Sequence, residues 1–254
     1  MKNKKINTVL LTGGTGKIGG NLIKGLAEQG YQVLFTSRSK EKIKMIEEQF
    51  STKKVKGVQI NLENDDFLKV LESFFVENNI YPQALINNAR NIDYLKISDN
   101  YEVEEKNWFG EFKFSVTIPY QLTLFLSKNK NTNLQRVINV ASMYGVVAPN
   151  LELYTNPDAQ SPISYGTCKA AMIHLSKELA VRLAKQNILV NTISYGGVVG
   201  RVNEKFLERY AKLNPQKRML QDEELYAPVR FLLSEDATAM TGHNLNYDGG
   251  WTAW

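Results

Sequence analysis

The sequence predicts an α/β fold, a doubly wound sheet of seven parallel strands with helices on both faces. Three observations predict it. Short β-branched runs alternate with longer amphipathic ones along the whole chain. A glycine-rich turn joins the first run to a helical pattern, and small or polar residues collect at the carboxyl ends of the runs. Strands separated by helices cannot pair as hairpins, so the crossovers must build a parallel sheet covered on both sides. A chain of 254 residues with 43% hydrophobic content can bury a full core. No repeat, low-complexity tract or linker divides it, so residues 1–254 are expected to form one domain with its substrate loops built in.

The strands are read in order as "INTVLLT", "YQVLFTS", "VKGVQIN", "ALINNA", "RVINVAS", "ILVNTIS" and "HNLNYDG". After the first comes "TGGTGKIGG", in which Gly14, Gly16 and Gly19 fit G-x-G-x-x-G between a strand and a helix. Bare backbone there lets a pyrophosphate approach a helix N-terminus. Gly13, Thr15, Lys17 and Ile18 belong to the same loop and are cofactor-binding candidates. A P-loop, G-x-x-x-x-G-K-[ST], is absent. The second strand ends "FTSRS", with Ser37 where NAD-binding proteins usually present an acidic residue and Arg38 next to it. Lys17 and Arg38 are expected to grip a 2′-phosphate from two sides, which makes NADP the preferred cofactor and NAD the alternative.

Ser142 closes the fifth strand, and "SYGTCKAAMIHLSKELA" follows it in a helical pattern. Tyr165 and Lys169 are four apart, so on a helix they share a face. An ammonium about 4 Å from a developing phenolate contributes roughly 4 kcal/mol at an effective dielectric of about 20, enough to make Tyr165 a usable acid or base. With Ser142 holding a substrate oxygen, the three suggest proton transfer at a carbinol oxygen beside a dinucleotide, as hydride chemistry requires.

Composition narrows the function further. Cys168 is the one cysteine, and His174 and His243 lie far apart, so neither a disulfide nor a His/Cys metal site is expected. The net charge of +5 is spread along the chain, which favours a solvated surface over nucleic-acid binding. The start, "MKNKKINTVLLT", has too few apolar residues for a signal peptide or membrane span, and a cytoplasmic protein is expected.

The chain resembles the short-chain dehydrogenases/reductases along its whole length. The matching motifs, in order, are "TGGTGKIGG", "NNA", "INVAS", "YGTCK", "VNTIS" with its following glycines, and "TGHNLNYDGG". The resemblance implies a Rossmann-type fold and an NAD(P)-dependent oxidoreductase interconverting an alcohol and a ketone. It makes Tyr165 the acid/base, Lys169 its partner and a ligand of the nicotinamide ribose, and Ser142 the residue that orients the carbonyl. It places Asn61, Leu62, Asn88 and Ala89 around the adenine and its ribose, and Gly196 to Val198 beside the nicotinamide. Family members commonly pair through the helix bearing Tyr165 and the one before it, which implies a homodimer or homotetramer.

Several positions depart from the family pattern. The glycine spacing resembles the extended, sugar-nucleotide branch, whereas the length and the C-terminal "DGG" resemble the shorter branch. Asn61 replaces the usual Asp and Tyr195 the usual proline. In "WFGEFKFSVTIPY", Ser115 aligns with the family's asparagine, whose helix carbonyl helps hold a water in the proton relay, so Ser115 is taken as the fourth catalytic candidate. Arg90 replaces the glycine after "NNA". The stretch "MYGVVAPNLELYTNPDAQSPIS" is longer than the family's spacing and is expected to wall a polar substrate. That stretch and the ending "DGGWTAW" look like oxidoreductases of flagellin-glycan and legionaminic acid synthesis. With Arg90 and Arg201 near the crevice, the expected substrate is an anionic sugar derivative. The alternatives are a 3-oxoacyl-thioester or steroid-type ketone reductase, or a dinucleotide-binding sensor or scaffold without turnover.

Overall fold

The computed structural model describes residues 5–200 and 202–254. Seven strands form where the alternating runs place them: β1 Thr8–Leu11, β2 Gln32–Ser37, β3 Val55–Gln59, β4 Ala84–Asn87, β5 Arg136–Ser142, β6 Leu189–Tyr195 and β7 Asn244–Tyr247. Every pairing is parallel, in the order β3-β2-β1-β4-β5-β6-β7. The order reverses between β1 and β4, so a crevice opens beyond their carboxyl ends. The helices are α1 Lys17–Glu28, α2 Lys40–Gln49, α3 Phe67–Asn78, α4 Glu105–Phe112, α5 Ile118–Lys128, α6 Pro157–Gln160, α7 Ile163–Leu183, α8 Glu204–Leu213 and α9 Tyr226–Leu233. A π-helical turn, Lys113–Thr117, joins α4 to α5.

The period of two in the strands decides which layer each side chain enters. Val9, Leu11, Val33 and Phe35 pack with Leu22, Ile23 and Leu26 of α1 and Val229 and Leu232 of α9. Leu10 and Leu34 turn the other way, to Leu71 and Phe75 of α3 and to Leu122, Leu126, Leu179 and Leu183 of α5 and α7. Burying each such aliphatic side chain contributes about 1.5–3 kcal/mol. A third cluster, Met143, Leu153, Tyr210, Met219 and Trp251, comes from the segments that follow β5, β6 and β7. Its centre is Tyr210 stacked on Trp251, with ring centroids 4.5 Å apart.

One row of the sheet is polar. Asn87, Asn139 and Thr192 stand in register on β4, β5 and β6. Asn87 Nδ2 donates to Asn139 Oδ1 at 2.7 Å, and Asn139 Nδ2 donates to Ser176 Oγ of α7 at 2.8 Å. Thr192 Oγ1 donates to the same Ser176 oxygen at 2.7 Å. Among the described residues, no helix is long and apolar enough to cross a membrane.

Candidate active site

The glycine loop is held from both sides. Gly13 N donates to Thr36 Oγ1 and Gly14 N to the Thr36 carbonyl, each at 3.1 Å. On the other flank, Thr12 Oγ1 accepts from the N–H groups of Asn88 and Ala89, both at 2.9 Å, while Asn88 Nδ2 donates to the Thr12 and Gly13 carbonyls at 3.0 and 3.2 Å. Asn88 thus fastens the loop to the end of β4. α1 opens at Gly16 without a side-chain cap, so its first N–H groups are left for an anion. A Cβ at Gly16 would meet only the Gly13 carbonyl, at 3.4 Å, so internal packing does not demand this glycine. A diphosphate lying against bare backbone does, and the loop fits a dinucleotide.

Beside the loop, Thr15 Oγ1 and Ser37 Oγ lie 3.1 Å apart, and Arg38 is exposed just beyond β2. Asn61 is half-buried and turns its own Oδ1 back to the Glu63 N–H at 3.2 Å, Leu62 is buried beneath it, and Ile18 packs against the core next to the loop. Lys17 has a partner of its own. Its ammonium sits 2.9 Å from Asp222 Oδ1 and beside Gly200, both in the segment that follows β6. Its charge is thus balanced by Asp222 in this structure. Asp222 could not be foreseen, because nothing local in the sequence links it to position 17.

The helix α7, which carries Tyr165 and Lys169, is clamped onto the end of β5, the strand that Ser142 closes. A Cβ at Gly166 would lie 2.8 Å from the Tyr144 carbonyl, so only glycine lets the helix approach this closely. Lys169 is buried, donates to the Val140 carbonyl at 3.1 Å, and lies 5.9 Å from the centroid of the Tyr165 ring. Ser142 Oγ accepts from the Tyr144 N–H at 3.2 Å, leaving its own proton for a substrate oxygen. Arg90 is exposed with its guanidinium 4.8 Å from the Tyr165 ring centroid, a cation–π contact. Ser115 lies on the π-helical turn, buried, and its hydroxyl donates to Glu111 Oε1 at 3.1 Å. Glu111 passed unnoticed in the sequence, where a single acid in a helix reads as part of a solvated face.

The long stretch after Ser142 folds into two short turns and α6. It leans on α8, where Arg209 Nε donates to the Leu153 carbonyl at 2.7 Å and the Tyr154 and Phe206 rings meet edge to face at 5.8 Å. Tyr154 donates to the Tyr144 hydroxyl at 2.9 Å, and burial is the main reason the Tyr144 phenol is pushed far up from its ordinary range. Past β6, Gly196 packs against Asp248, Gly197 N donates to the Tyr210 hydroxyl at 2.9 Å, and Val198 bridges to Leu220. Tyr195, in place of the family's proline, is buried and donates to the Leu225 carbonyl. Arg201 lies outside the described residues.

A doubly wound sheet, a bare helix N-terminus at its switch point and a Ser–Tyr–Lys set beside it define an oxidoreductase that works with a nicotinamide dinucleotide. A family model described as Enoyl-(Acyl carrier protein) reductase matches residues 15–252. The chain belongs to the short-chain dehydrogenase/reductase family. It is 38% identical over 127 residues to the post-translational flagellin modification protein A of Campylobacter coli, a match spanning 50% of each chain. Over 252 residues it is 30% identical to the 3-oxoacyl-acyl-carrier-protein reductase of Buchnera aphidicola subsp. Acyrthosiphon pisum, covering 96% of both. Among solved structures, a short chain dehydrogenase from Leptospira borgpetersenii with bound NAD+ superposes with a TM-score of 0.84 at 26% identity, over 99% of this chain and 96% of that one.

Proposed function

We propose that the protein interconverts a secondary alcohol and a ketone on a polar, anionic sugar derivative used in surface-glycan synthesis. Tyr165 gives its proton to the carbonyl oxygen in reduction and takes it from the hydroxyl in oxidation. Ser142 donates a hydrogen bond to that oxygen, and Lys169, fixed on the Val140 carbonyl, stabilises the phenolate. The nicotinamide, when bound between the glycine loop and Gly196–Val198, supplies or accepts the hydride. The observation that carries the substrate class is Arg90, a guanidinium 4.8 Å from the ring of the acid/base itself. A cation at that point attracts a phosphate or carboxylate on the substrate. The likeness to a flagellin modification protein supports the glycan setting, and the long wall on α8 supports a polar ligand.

The test is a panel of sugar derivatives with and without an anionic group, run on the parent and on Arg90→Ala. The reading expects activity on anionic members and a KM raised about tenfold or more by the substitution. Fast reduction of 3-oxoacyl thioesters, with no sugar derivative turned over, would replace it with the ketoacyl reading that the Buchnera relative favours.

NADP(H) is the preferred cofactor in this reading, because the end of β2 presents Ser37 and Arg38 and no carboxylate. Lys17, paired with Asp222 here, is the proposed second contact to the 2′-phosphate beside Arg38. Arg38→Ala should weaken NADP(H) about tenfold or more while leaving NAD(H) nearly unchanged; equal losses would count against it. Assembly is proposed as a homodimer or homotetramer through α4, α5 and α7, where Phe109, Phe112, Tyr120, Ile163 and Val181 are exposed, and the cytoplasm is the proposed location.

A further inference from the structure

Lys17 and Asp222 tie the helix of the glycine loop to the segment that follows β6. The lysine opens α1, and the aspartate opens a short turn, Asp222–Glu224. The ammonium lies 2.9 Å from Asp222 Oδ1 and donates to Oδ2 at 3.1 Å. Gly200, with a φ of +96°, leaves room for it, since a Cβ there would lie 2.7 Å from Nζ. Oδ1 is buried and takes no aligned hydrogen bond, so the nearby ammonium compensates its charge.

The two partners are not held alike. Asp222 is fixed through its backbone: Leu220 and Leu225 on either side are buried, Tyr195 donates to the Leu225 carbonyl, and Glu224 Oε2 accepts from the Gln221 N–H at 2.8 Å. Arg218 clamps Glu224 in turn, at 2.6 and 2.7 Å. Lys17 reaches the pair on a flexible four-carbon stem. An anion that competes for the ammonium therefore draws Lys17 away and leaves the carboxylate in place. The end of β2 is close to the same loop, because Thr15, two residues before Lys17, meets Ser37 at 3.1 Å. We propose that Asp222 is a cofactor-specificity residue, which competes with the 2′-phosphate of NADP(H) for Lys17 and so lowers the preference for NADP(H) that Arg38 and Lys17 confer. The inference rests on the reading that Lys17 contacts that phosphate. NAD(H) carries the same diphosphate but no 2′-phosphate, so the difference between the two cofactors isolates the competition. The pair thereby keeps NAD(H) usable in a site whose second strand ends without a carboxylate to select it.

Asp222→Asn keeps the shape of the side chain and removes its charge. Titrations of parent and variant with NADPH and with NADH, followed by nicotinamide fluorescence, need no substrate. Asp222→Asn should bind NADPH about two- to fivefold more tightly, the range for release of a partly exposed ion pair, and NADH as the parent does. In a Lys17→Met background the same substitution should change nothing, because the competition needs the ammonium. Asp222→Glu keeps the charge and should stay near the parent. An equal change for both cofactors, weaker binding of NADPH, or a gain that survives in Lys17→Met would overturn the proposal; weaker binding of both would make the pair a strut between loop and segment. If Asp222→Asn does not fold, Asp222→Ser decides by the same criteria. NADPH affinity unmoved by Lys17→Met would overturn the 2′-phosphate reading of Lys17 and this inference with it. Affinity lowered there, with an unchanged ratio of NADPH to NADH affinity in Asp222→Asn, would overturn the role of Asp222 alone.

Discussion

Thr12→Val replaces a buried hydroxyl by a methyl of nearly the same size, and so isolates what that hydroxyl does. It accepts two N–H groups, from Asn88 and Ala89, each at 2.9 Å. A buried donor left unpaired costs about 1–3 kcal/mol, and here two partly buried ones lose their acceptor, so the loss should be about 2–4 kcal/mol. For a chain of this size that corresponds to a fall in Tm of roughly 4–16 °C. Thr12→Ser keeps the hydroxyl and should stay within about 1 kcal/mol of the parent. Thermal unfolding at one fixed protein concentration measures both, because an oligomer's Tm varies with concentration. Dinucleotide affinity should fall in Thr12→Val as well, since the same hydroxyl fixes the glycine loop against β4. Equal stability of the two variants would refute the reasoning, because it would mean that the two N–H groups find other partners.

Gly166→Ala should lower kcat with little change in cofactor affinity, because its Cβ would lie 2.8 Å from the Tyr144 carbonyl and push the start of α7 off β5; steady-state kinetics beside a cofactor titration would reveal it. Hydrogen bonds from Arg218 hold the Glu224 carboxyl down at about 2, so the stability it adds is present above the unfolded value and lost as pH falls toward that point. Urea unfolding should therefore find Glu224→Gln less stable than the parent near neutrality, by under about 1 kcal/mol for so exposed a pair, and the gap should close with acid. Phe109→Glu combined with Val181→Glu places charge on two exposed apolar positions of α4 and α7, and light scattering should then report a smaller species than the parent.

The sheet was legible because its signal is local and periodic: "TVLL" and "QVLFTS" alternate between two buried layers, and each run is closed by a polar or glycine-rich turn. Strand ends were less so, and "VKGVQIN" pairs only from Val55 to Gln59. The placement of Ser142 at the end of β5 and of Tyr165 and Lys169 one turn apart on α7 was legible through helix spacing and motif order. The partner of Lys17 was not legible, because a side chain's direction depends on what attracts it, and Asp222 comes from 205 positions away. Glu111 was missed for a related reason. Periodicity tells which face of a helix is inward but not that an inward position holds a charge whose compensation lies on another helix.

The polar row of β4, β5 and β6 bears on how the chain avoids misfolding. In a parallel sheet buried on both sides, a strand that slips by two residues keeps every side chain on its proper face, so apolar burial alone discriminates poorly between the two alignments. Such a slip would part Asn87 from Asn139 and strand buried amides beside aliphatic neighbours. The row therefore works as a checksum on strand alignment, and it is read where an error would do most harm, immediately before Asn88 secures the glycine loop and directly under the helix that carries Tyr165.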